Sequence, residues 1–249
     1  MRLFGLIGYP LTHSFSEKYF NDKFEKENIK DVNYKIFPIP FVSEFPEIMK
    51  LNTNIFGFNV TSPYKQSIIP YLDETNITAS EIYAVNVIKV IRKNQNVKLV
   101  GYNTDVYGFQ KSLKKKLTPK AKSALILGTG GAAKAVSAAL KNLGISYQFV
   151  SRMNKPDSQI LNYNSLNEEL IRKNLLIINA SPVGIFPDVN QKPDIPYKYL
   201  TENHHLFDLI YNPEKTQFLS EGEKRNAIIQ NGLQMLYFQA DKAWEIFNS

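Results

Sequence analysis

The chain contains no cysteine, and its 249 residues include only three histidines and one tryptophan. The absence of cysteine excludes disulfide bonds, thiolate nucleophiles and thiolate metal sites. The histidines do not have the HExxH spacing of a metal site, so we expect no metal. Because no long apolar run and no charged-then-apolar leader occurs, the sequence predicts a soluble, cytoplasmic protein.

The formal net charge is +7, which suits anionic ligands. Lysines and arginines are scattered, and the densest run, residues 111–122, is typical of a solvated helix face. No helix-turn-helix and no aromatic RNA-binding motif occurs, so we expect a small-molecule partner rather than nucleic acid or a membrane. At this length and 43% hydrophobic content the chain can form one large domain or two ordinary ones. We expect the protein to be a monomer or a homodimer.

The first hundred residues alternate strands and helices. Apolar strands are predicted at 2–8 and 33–39, and a third lies within 57–65, with helices between them. Residues 84–91 and 98–102 flank a polar turn and predict a hairpin. This order favours an α/β domain with a mostly parallel sheet and an antiparallel edge.

The strand within 57–65 places polar side chains at its carboxyl end. Asn59 and Thr61 alternate with apolar residues, which is the period of a strand. Ser62-Pro63 is typical of an N-cap and first helical residue, so we expect a new helix that ends near Pro70. Lys65 would then lie in its first turn.

A cation in the first turn of a helix costs about 0.3–1 kcal/mol, because it faces the positive end of the helix dipole. We therefore expect a functional reason for Lys65, although a solvated surface lysine is the alternative.

Two other polar groups precede or begin helices. Ser14 and Glu17 form a capping box before an aromatic helical face, so Ser14 has a structural alternative, whereas Ser16 has its hydroxyl available. Asp105 follows a strand and can cap the next helix, about 106–116, which links the first domain to the second.

A glycine-rich turn follows the buried strand 123–127 and opens an alanine-rich helix. Its spacing, Gly128-x-Gly130-x-x-Ala133, is the Gly/Ala form of the dinucleotide fingerprint. The glycines let a diphosphate approach the backbone, and the helix N-terminus favours its charge. The alternative is a turn that only packs a helix on a sheet.

The next strand, 146–150, ends without an acid to bond a ribose 2′-hydroxyl. Ser151, Arg152 and Lys155 follow it, and the first acid is Asp157. Cations without a carboxylate suit a 2′-phosphate, so the sequence favours NADP over NAD. Solvated loop residues are the alternative.

The remaining chain predicts strands at 175–179, 204–208 and 227–230. A proline-rich loop separates the first two strands, and a helix at 214–224 separates the last two. A final amphipathic helix covers 233–247, and its broad apolar face predicts that it returns to the first domain. Gln239 interrupts that face, as a polar edge residue or a ligand contact.

Several short motifs occur in the order found in one enzyme family. They are Ser14-Phe15-Ser16, Asn59 to Lys65, Ala84-Val85-Asn86, Asn103-Thr104-Asp105, Gly128 to Ala132, Asn179-Ala180-Ser181-Pro182, Asp208 to Tyr211 and Gly232 to Gln239. With this ordered set the chain resembles shikimate dehydrogenase along its whole length.

The resemblance implies a role for each matched residue. It implies a catalytic pair of Lys65 and Asp105. The substrate-binding residues it implies are Ser14, Ser16, Asn59, Thr61, Asn86, Tyr211 and Gln239. The cofactor-binding residues it implies are Gly128, Thr129, Gly130, Gly131, Ala132, Ser151, Arg152, Lys155, Leu209 and Gly232.

The resemblance also implies two α/β domains and a reaction. Residues 1–105 with 232–249 would be the substrate-binding and catalytic domain, and 106–231 a Rossmann-type NADP-binding domain. The enzyme would reversibly reduce 3-dehydroshikimate to shikimate with NADPH, in the route to chorismate and the aromatic amino acids. A protonated Lys65 fits as the acid in ketone reduction.

The chain departs from the family in two places. The family often has Asn-Arg-Thr where this chain has Ser151-Arg152-Met153, and the stretch 150–175 is short. We therefore expect a cofactor domain with a helix shortened or lost, which affects adenosine binding more than the reaction.

Three other functions compete with this one. A quinate/shikimate dehydrogenase using NAD often has threonine at one serine position and an acid near the ribose. A non-catalytic NADP(H)-sensing protein would be expected to lack Lys65 or Asp105. A folate or glutamyl-tRNA type reductase would lack the Ser-x-Ser and Asn-Thr-Asp motifs.

Overall fold

A computed structural model describes residues 1–11, 15–94, 96–152 and 160–249. It forms two compact units, each with its own sheet: the first unit is Met1–Thr104 with Ala240–Ser249, and the second is Asp105–Gln239. The α/β class with two units agrees with the sequence prediction. Asp105 and residues 232–239, expected in the first domain, group with the second unit instead.

The first unit is built on a six-stranded sheet in the order β2-β1-β3-β5-β6-β4. Its strands are β1 (Arg2–Gly8), β2 (Val32–Pro38), β3 (Ile55–Val60), β4 (Glu74–Thr75), β5 (Val87–Lys93) and β6 (Asn96–Tyr102), and its helices are α1 (Phe15–Lys26), α2 (Phe45–Leu51) and α3 (Ile77–Ile82). The pairs β1–β2 and β1–β3 are parallel, and β5 pairs antiparallel with β3 and β6. The predicted hairpin is therefore present as β5–β6.

One core of the first unit is aromatic. The Phe4 ring of β1 lies 5.3 Å from Trp244 and 5.0 Å from Phe247, measured between ring centroids. A Cβ added to Gly57 of β3 would lie 2.4 Å from the Phe247 ring, so that ring fills the space a side chain would take. Phe247 belongs to the final helix, α8 (Leu233–Asn248), whose residues from Ala240 onward group with the first unit as predicted.

The predicted helix from Ser62-Pro63 to Pro70 is wrong, because residues 62–68 form turns and only Ile69–Tyr71 is a short 3₁₀ helix. The physical reason is where the Lys65 carbonyl bonds. It accepts from the Val85 amide at 2.7 Å, whereas the Ile69 amide bonds to Gln66 at 3.2 Å. A helix would need the Lys65 carbonyl for Ile69, so Lys65 does not face a helix N-terminus.

The second unit has a six-stranded sheet with all neighbours parallel, in the order β12-β11-β10-β7-β8-β9. Its strands are β7 (Ser123–Leu127), β8 (Ser146–Ser151), β9 (Ile160–Asn162), β10 (Leu176–Asn179), β11 (His205–Asp208) and β12 (Ile228–Gln230); its helices are α4 (Asp105–Lys114), α5 (Gly131–Asn142), α6 (Glu168–Lys173), α7 (Gln217–Glu223) and the start of α8. Read along the chain, this is the 3-2-1-4-5-6 order of the Rossmann fold.

The Rossmann order predicts where the second unit binds a ligand. The strand order reverses between β7 and β10, and in such sheets ligands bind beyond the carboxyl ends of the strands at that point. Residues 128–130 follow β7, and 180–182 follow β10. The glycine turn and the Asn-Ala-Ser-Pro segment therefore lie at the predicted ligand edge.

Over the described ranges, no helix is apolar and long enough for a membrane span. The same residues contain no group of three histidine, aspartate, glutamate or cysteine side chains placed to hold a metal ion.

Candidate active-site residues in the two units

Thr61 lies just beyond β3, against a glycine of the neighbouring strand. Its amide bonds to the Ile7 carbonyl at 2.9 Å, and a Cβ added to Gly8 would lie 2.4 Å from its methyl group. The close approach of β1 therefore fixes Thr61 at the carboxyl ends of two parallel strands.

Asn59 is buried on β3, and its side chain is held from β2. The Tyr34 hydroxyl donates to Asn59 Oδ1 at 2.8 Å, and it is also hydrogen-bonded to the Ser16 side chain of α1. Burial raises the pKa of Tyr34 well above its usual value, and the Ser16 hydrogen bond opposes this only in part. Two predicted substrate residues, Ser16 and Asn59, are thus connected through one neutral phenol.

Asn86 is held by the segment that follows β6. Its Oδ1 accepts from the Thr104 amide at 2.7 Å, and its Nδ2 donates to the Thr104 hydroxyl at 3.1 Å. Asn103 is bonded to the Ala84 carbonyl at 3.0 Å. The Ala-Val-Asn motif and the first two residues of the Asn-Thr-Asp motif therefore pack on each other within the first unit.

Lys65 is half-buried, and the backbone around it is fixed. Its carbonyl bonds to Val85, and the hydroxyl of its neighbour, the buried Tyr64, donates to the Ile39 carbonyl at 2.5 Å. The backbone bond of Lys65 and the side-chain bond of its neighbour hold the Lys65 Cα in place, and its side chain extends from there.

The glycine turn of the second unit leaves room next to its backbone. Gly128 has φ +116° and its Cβ would lie 3.0 Å from the Ala180 carbonyl oxygen, so this position requires glycine. A Cβ on Gly130 or Gly131 would have no atom within 4 Å. Thr129 is exposed, Ala132 is half-buried in the first turn of α5, and the open backbone between them fits a dinucleotide diphosphate.

Ser151 is the last residue of β8 and Arg152 follows it, next to the glycine turn. The pairing of Leu127 with Val150 places them at the same edge of the sheet. Ser151 is half-buried and Arg152 is exposed. Lys155 lies outside the described residues, as does Ser14.

Leu209 and Gly232 meet closely. A Cβ on Gly232 would lie 2.0 Å from the Leu209 carbonyl oxygen, and the Gly232 amide bonds to the Ile210 carbonyl at 3.1 Å. The structure therefore brings these two predicted nicotinamide-site residues together.

A buried carboxylate supports the loops after β10 and β11. Asp208 accepts from the Thr216 hydroxyl at 2.6 Å, from Asn179 Nδ2 at 3.0 Å and from the Ile210 amide at 3.0 Å. Burial raises the pKa of Asp208 to about 6, although these three donors lower it. The network fixes the backbone that presents Leu209.

Asp105 and Gln239 lie on helices of the second unit that touch each other. Both are buried, and Gly108, one turn after Asp105, would place a Cβ 2.9 Å from the Gln239 Cβ. Asp105 is the first residue of α4, where an acid is favoured by the helix dipole. Tyr211 is partly exposed in the loop after β11.

The structure thus groups the predicted residues by unit. Ser16, Asn59, Thr61, Lys65 and Asn86 lie in the first unit, and Asp105, Tyr211, Gln239 and the described cofactor residues lie in the second. Sequence reasoning missed Tyr34 and Thr216, which hold site residues in place. Thr216 precedes a helix as an N-cap, a recognisable signal, whereas a tyrosine within a strand gives none.

Residues 6–88 match a family model described as the shikimate dehydrogenase substrate binding domain. The curated shikimate dehydrogenase (NADP(+)) of Desulforamulus reducens is 36% identical over 98% of this chain and 88% of its own length.

Solved structures agree with these sequence matches. Shikimate dehydrogenase 1 from Peptoclostridium difficile superimposes with a TM-score of 0.85 at 38% identity, covering 100% of this chain and 92% of that one. The Thermus thermophilus shikimate 5-dehydrogenase, solved with NADP(H) and shikimate, has a TM-score of 0.84 at 28% identity, covering 99% and 93%. This chain belongs to the shikimate dehydrogenase family.

Proposed function

We propose that this protein is an NADP-dependent oxidoreductase that reversibly reduces 3-dehydroshikimate to shikimate, in aromatic amino acid biosynthesis. The observation that carries the proposal is 36% identity over 98% of the chain to a curated NADP-dependent shikimate dehydrogenase. The reaction draws on NADPH, which cells supply in the cytoplasm, and we place the protein there.

The first unit is proposed to bind substrate and the second unit to bind NADP. Hydroxyl and amide side chains of Ser16, Asn59, Thr61 and Asn86 suit a small polyhydroxylated acid, together with Ser14. Buried polar partners of this kind reject analogues that lack a hydroxyl, in favourable cases by about 10⁴. Tyr211 and Gln239 are the proposed substrate contacts of the second unit.

NADPH supplies the hydride for the carbonyl carbon when it is bound. The turn of Gly128 to Ala132 is proposed to hold its diphosphate through backbone amides. Ser151, Arg152 and Lys155 are proposed to hold the 2′-phosphate, since a guanidinium forks onto phosphate oxygens. Leu209 and Gly232 are proposed to line the nicotinamide position, where their close packing gives a rigid wall.

Lys65 is proposed as the group that donates a proton to the carbonyl oxygen during reduction and accepts it from the alcohol during oxidation. Asp105 is proposed as its catalytic partner. Acid–base catalysis by a positioned side chain contributes about 10²–10⁴ in rate.

A spectrophotometric assay of reduced nicotinamide tests the proposal. Wild type is given shikimate or quinate, each with NADP or NAD. We expect rapid turnover with shikimate and NADP, and a loss of about 10³ in kcat for Lys65→Ala. Lys50→Ala, which removes an exposed lysine of the same unit, is the matched control and should keep wild-type kcat.

Other outcomes would redirect the assignment. Comparable turnover with quinate or NAD indicates a broad-specificity relative. Cofactor binding without turnover of any pair contradicts the enzyme and leaves the NADP(H)-sensing protein.

A further inference from the structure

Tyr34 connects two proposed substrate residues but belongs to none of the sequence motifs. It lies on β2 and is 1% exposed. Its hydroxyl donates to Asn59 Oδ1 at 2.8 Å and is hydrogen-bonded to Ser16. Because both hydrogen-bond partners of this buried phenol are proposed substrate residues, the phenol can influence how they bind substrate.

The ring of Tyr34 is held independently of its hydroxyl. It stacks on Phe20 of α1 with centroids 4.5 Å apart and planes 16° apart, and its backbone carbonyl accepts from Asn21 Nδ2 at 3.3 Å. Removing the hydroxyl alone would therefore leave the packing of the ring in place.

The hydrogen count decides what Asn59 can offer. A phenol has one proton, and that of Tyr34 goes to Asn59 Oδ1, so Ser16 is the donor in its bond to Tyr34. An asparagine side chain has an acceptor at one end and two donors at the other. With Oδ1 engaged, Asn59 presents its NH₂ group to a ligand.

We propose that Tyr34 is a positioning residue that holds Asn59 with its NH₂ group directed at an acceptor oxygen of the substrate. This rests on the proposed function and deepens it, because it fixes the direction of the Asn59 hydrogen bond. The substrate atom opposite Asn59 is then a hydroxyl oxygen or a carboxylate oxygen, which accepts the hydrogen bond. Without the phenol, the amide can turn over and present its acceptor instead.

Tyr34→Phe tests the proposal by steady-state kinetics. We expect KM for shikimate to rise about tenfold, since one neutral hydrogen bond is weakened, with kcat and KM for NADP within about twofold of wild type. The control is Tyr197→Phe, which also removes a buried tyrosine hydroxyl but one bonded to the Pro193 carbonyl at 2.6 Å, in the second unit. It should leave KM for shikimate unchanged.

A double-mutant cycle separates positioning from general loosening. In an Asn59→Ala background, Tyr34→Phe should change KM by less than about twofold, because the group it orients is gone. Asn59→Ala alone should raise KM at least as much as Tyr34→Phe. If Tyr34→Phe folds poorly, an unchanged KM in Asn59→Ala would still overturn the inference, because Tyr34 is proposed to act through Asn59.

The outcomes distinguish this inference from the proposed function. Absence of wild-type turnover of shikimate would overturn the function itself. An active wild type with unchanged KM in Tyr34→Phe, or an equal KM rise in the Asn59→Ala background, would overturn the role of Tyr34 alone.

Discussion

At Gly232 a single added carbon meets backbone atoms that cannot rotate away. The added Cβ would lie 2.0 Å from the Leu209 carbonyl oxygen and 2.6 Å from its carbon. We expect Gly232→Ala to lower the free energy of unfolding by about 2–3 kcal/mol and to weaken NADPH binding, since both backbones must move. Denaturant unfolding and fluorescence titration measure the two effects. A variant as stable as wild type would contradict this close contact.

Gly130 should give the opposite result. Its φ of −75° suits any residue, and a Cβ there has no neighbour within 4 Å. We expect Gly130→Ala to stay within about 1 kcal/mol of wild-type stability, because its main cost is that alanine is a poorer N-cap than glycine. NADPH affinity should fall at least tenfold, because the methyl group occupies the proposed diphosphate space. Unchanged NADPH affinity would contradict binding of the diphosphate at this turn.

The strand β11 contains two buried groups whose titrations oppose each other. Burial lowers the pKa of His205 to about 4 and raises that of Asp208 to about 6. Between pH 4 and 6 the unfolded chain binds more protons at His205 and fewer at Asp208 than the folded chain does. The His205 contribution to stability therefore rises with pH while that of Asp208 falls, each by about 3 kcal/mol.

Single variants should show the pH dependence that each of the two groups contributes to stability. Relative to wild type, Asp208→Asn should gain stability as pH rises from 4 to 6, and His205→Gln should lose it, in urea unfolding at each pH. Flat difference curves for both variants would show that neither group has a shifted pKa. Within the described residues His205 Nδ1 has no hydrogen-bond partner, which fits a neutral ring.

The elements show what sequence patterns can and cannot predict. Alternation and flanking turns predicted most strands, including the β5–β6 hairpin, because each pattern is local. The turn at 62–68 was mispredicted because its backbone pairs with Val85, far along the chain. The three-residue β9 was missed because it is too short for a periodic signal.

The candidate site divides in the same way. Motif order predicts which residues belong to it, and their roles stay a prediction. Leu209 and Gly232, one predicted pair, lie in close contact. Supporting contacts such as Tyr34 with Asn59 join separate strands and have no local pattern. They became visible only once β1, β2 and β3 were paired.

At the scale of the whole molecule, cofactor binding should stabilise the folded state. A ligand at 100 times its dissociation constant adds about 2.7 kcal/mol, so NADP at that level should raise the melting temperature by several degrees. NAD at equal concentration should raise it less, and Arg152→Ala should remove most of this difference. Equal shifts by both nucleotides in wild type would contradict a 2′-phosphate site at Arg152.

The ring of Phe247 against Gly57 and Phe4 has a consequence for how the protein is made. Domains usually fold in the order in which the ribosome produces them, the N-terminal one first. Here the aromatic core begun by β1 needs residues that are translated after the entire second unit. The earliest strands therefore wait, with an apolar surface uncovered, until the last turns of α8 have been made.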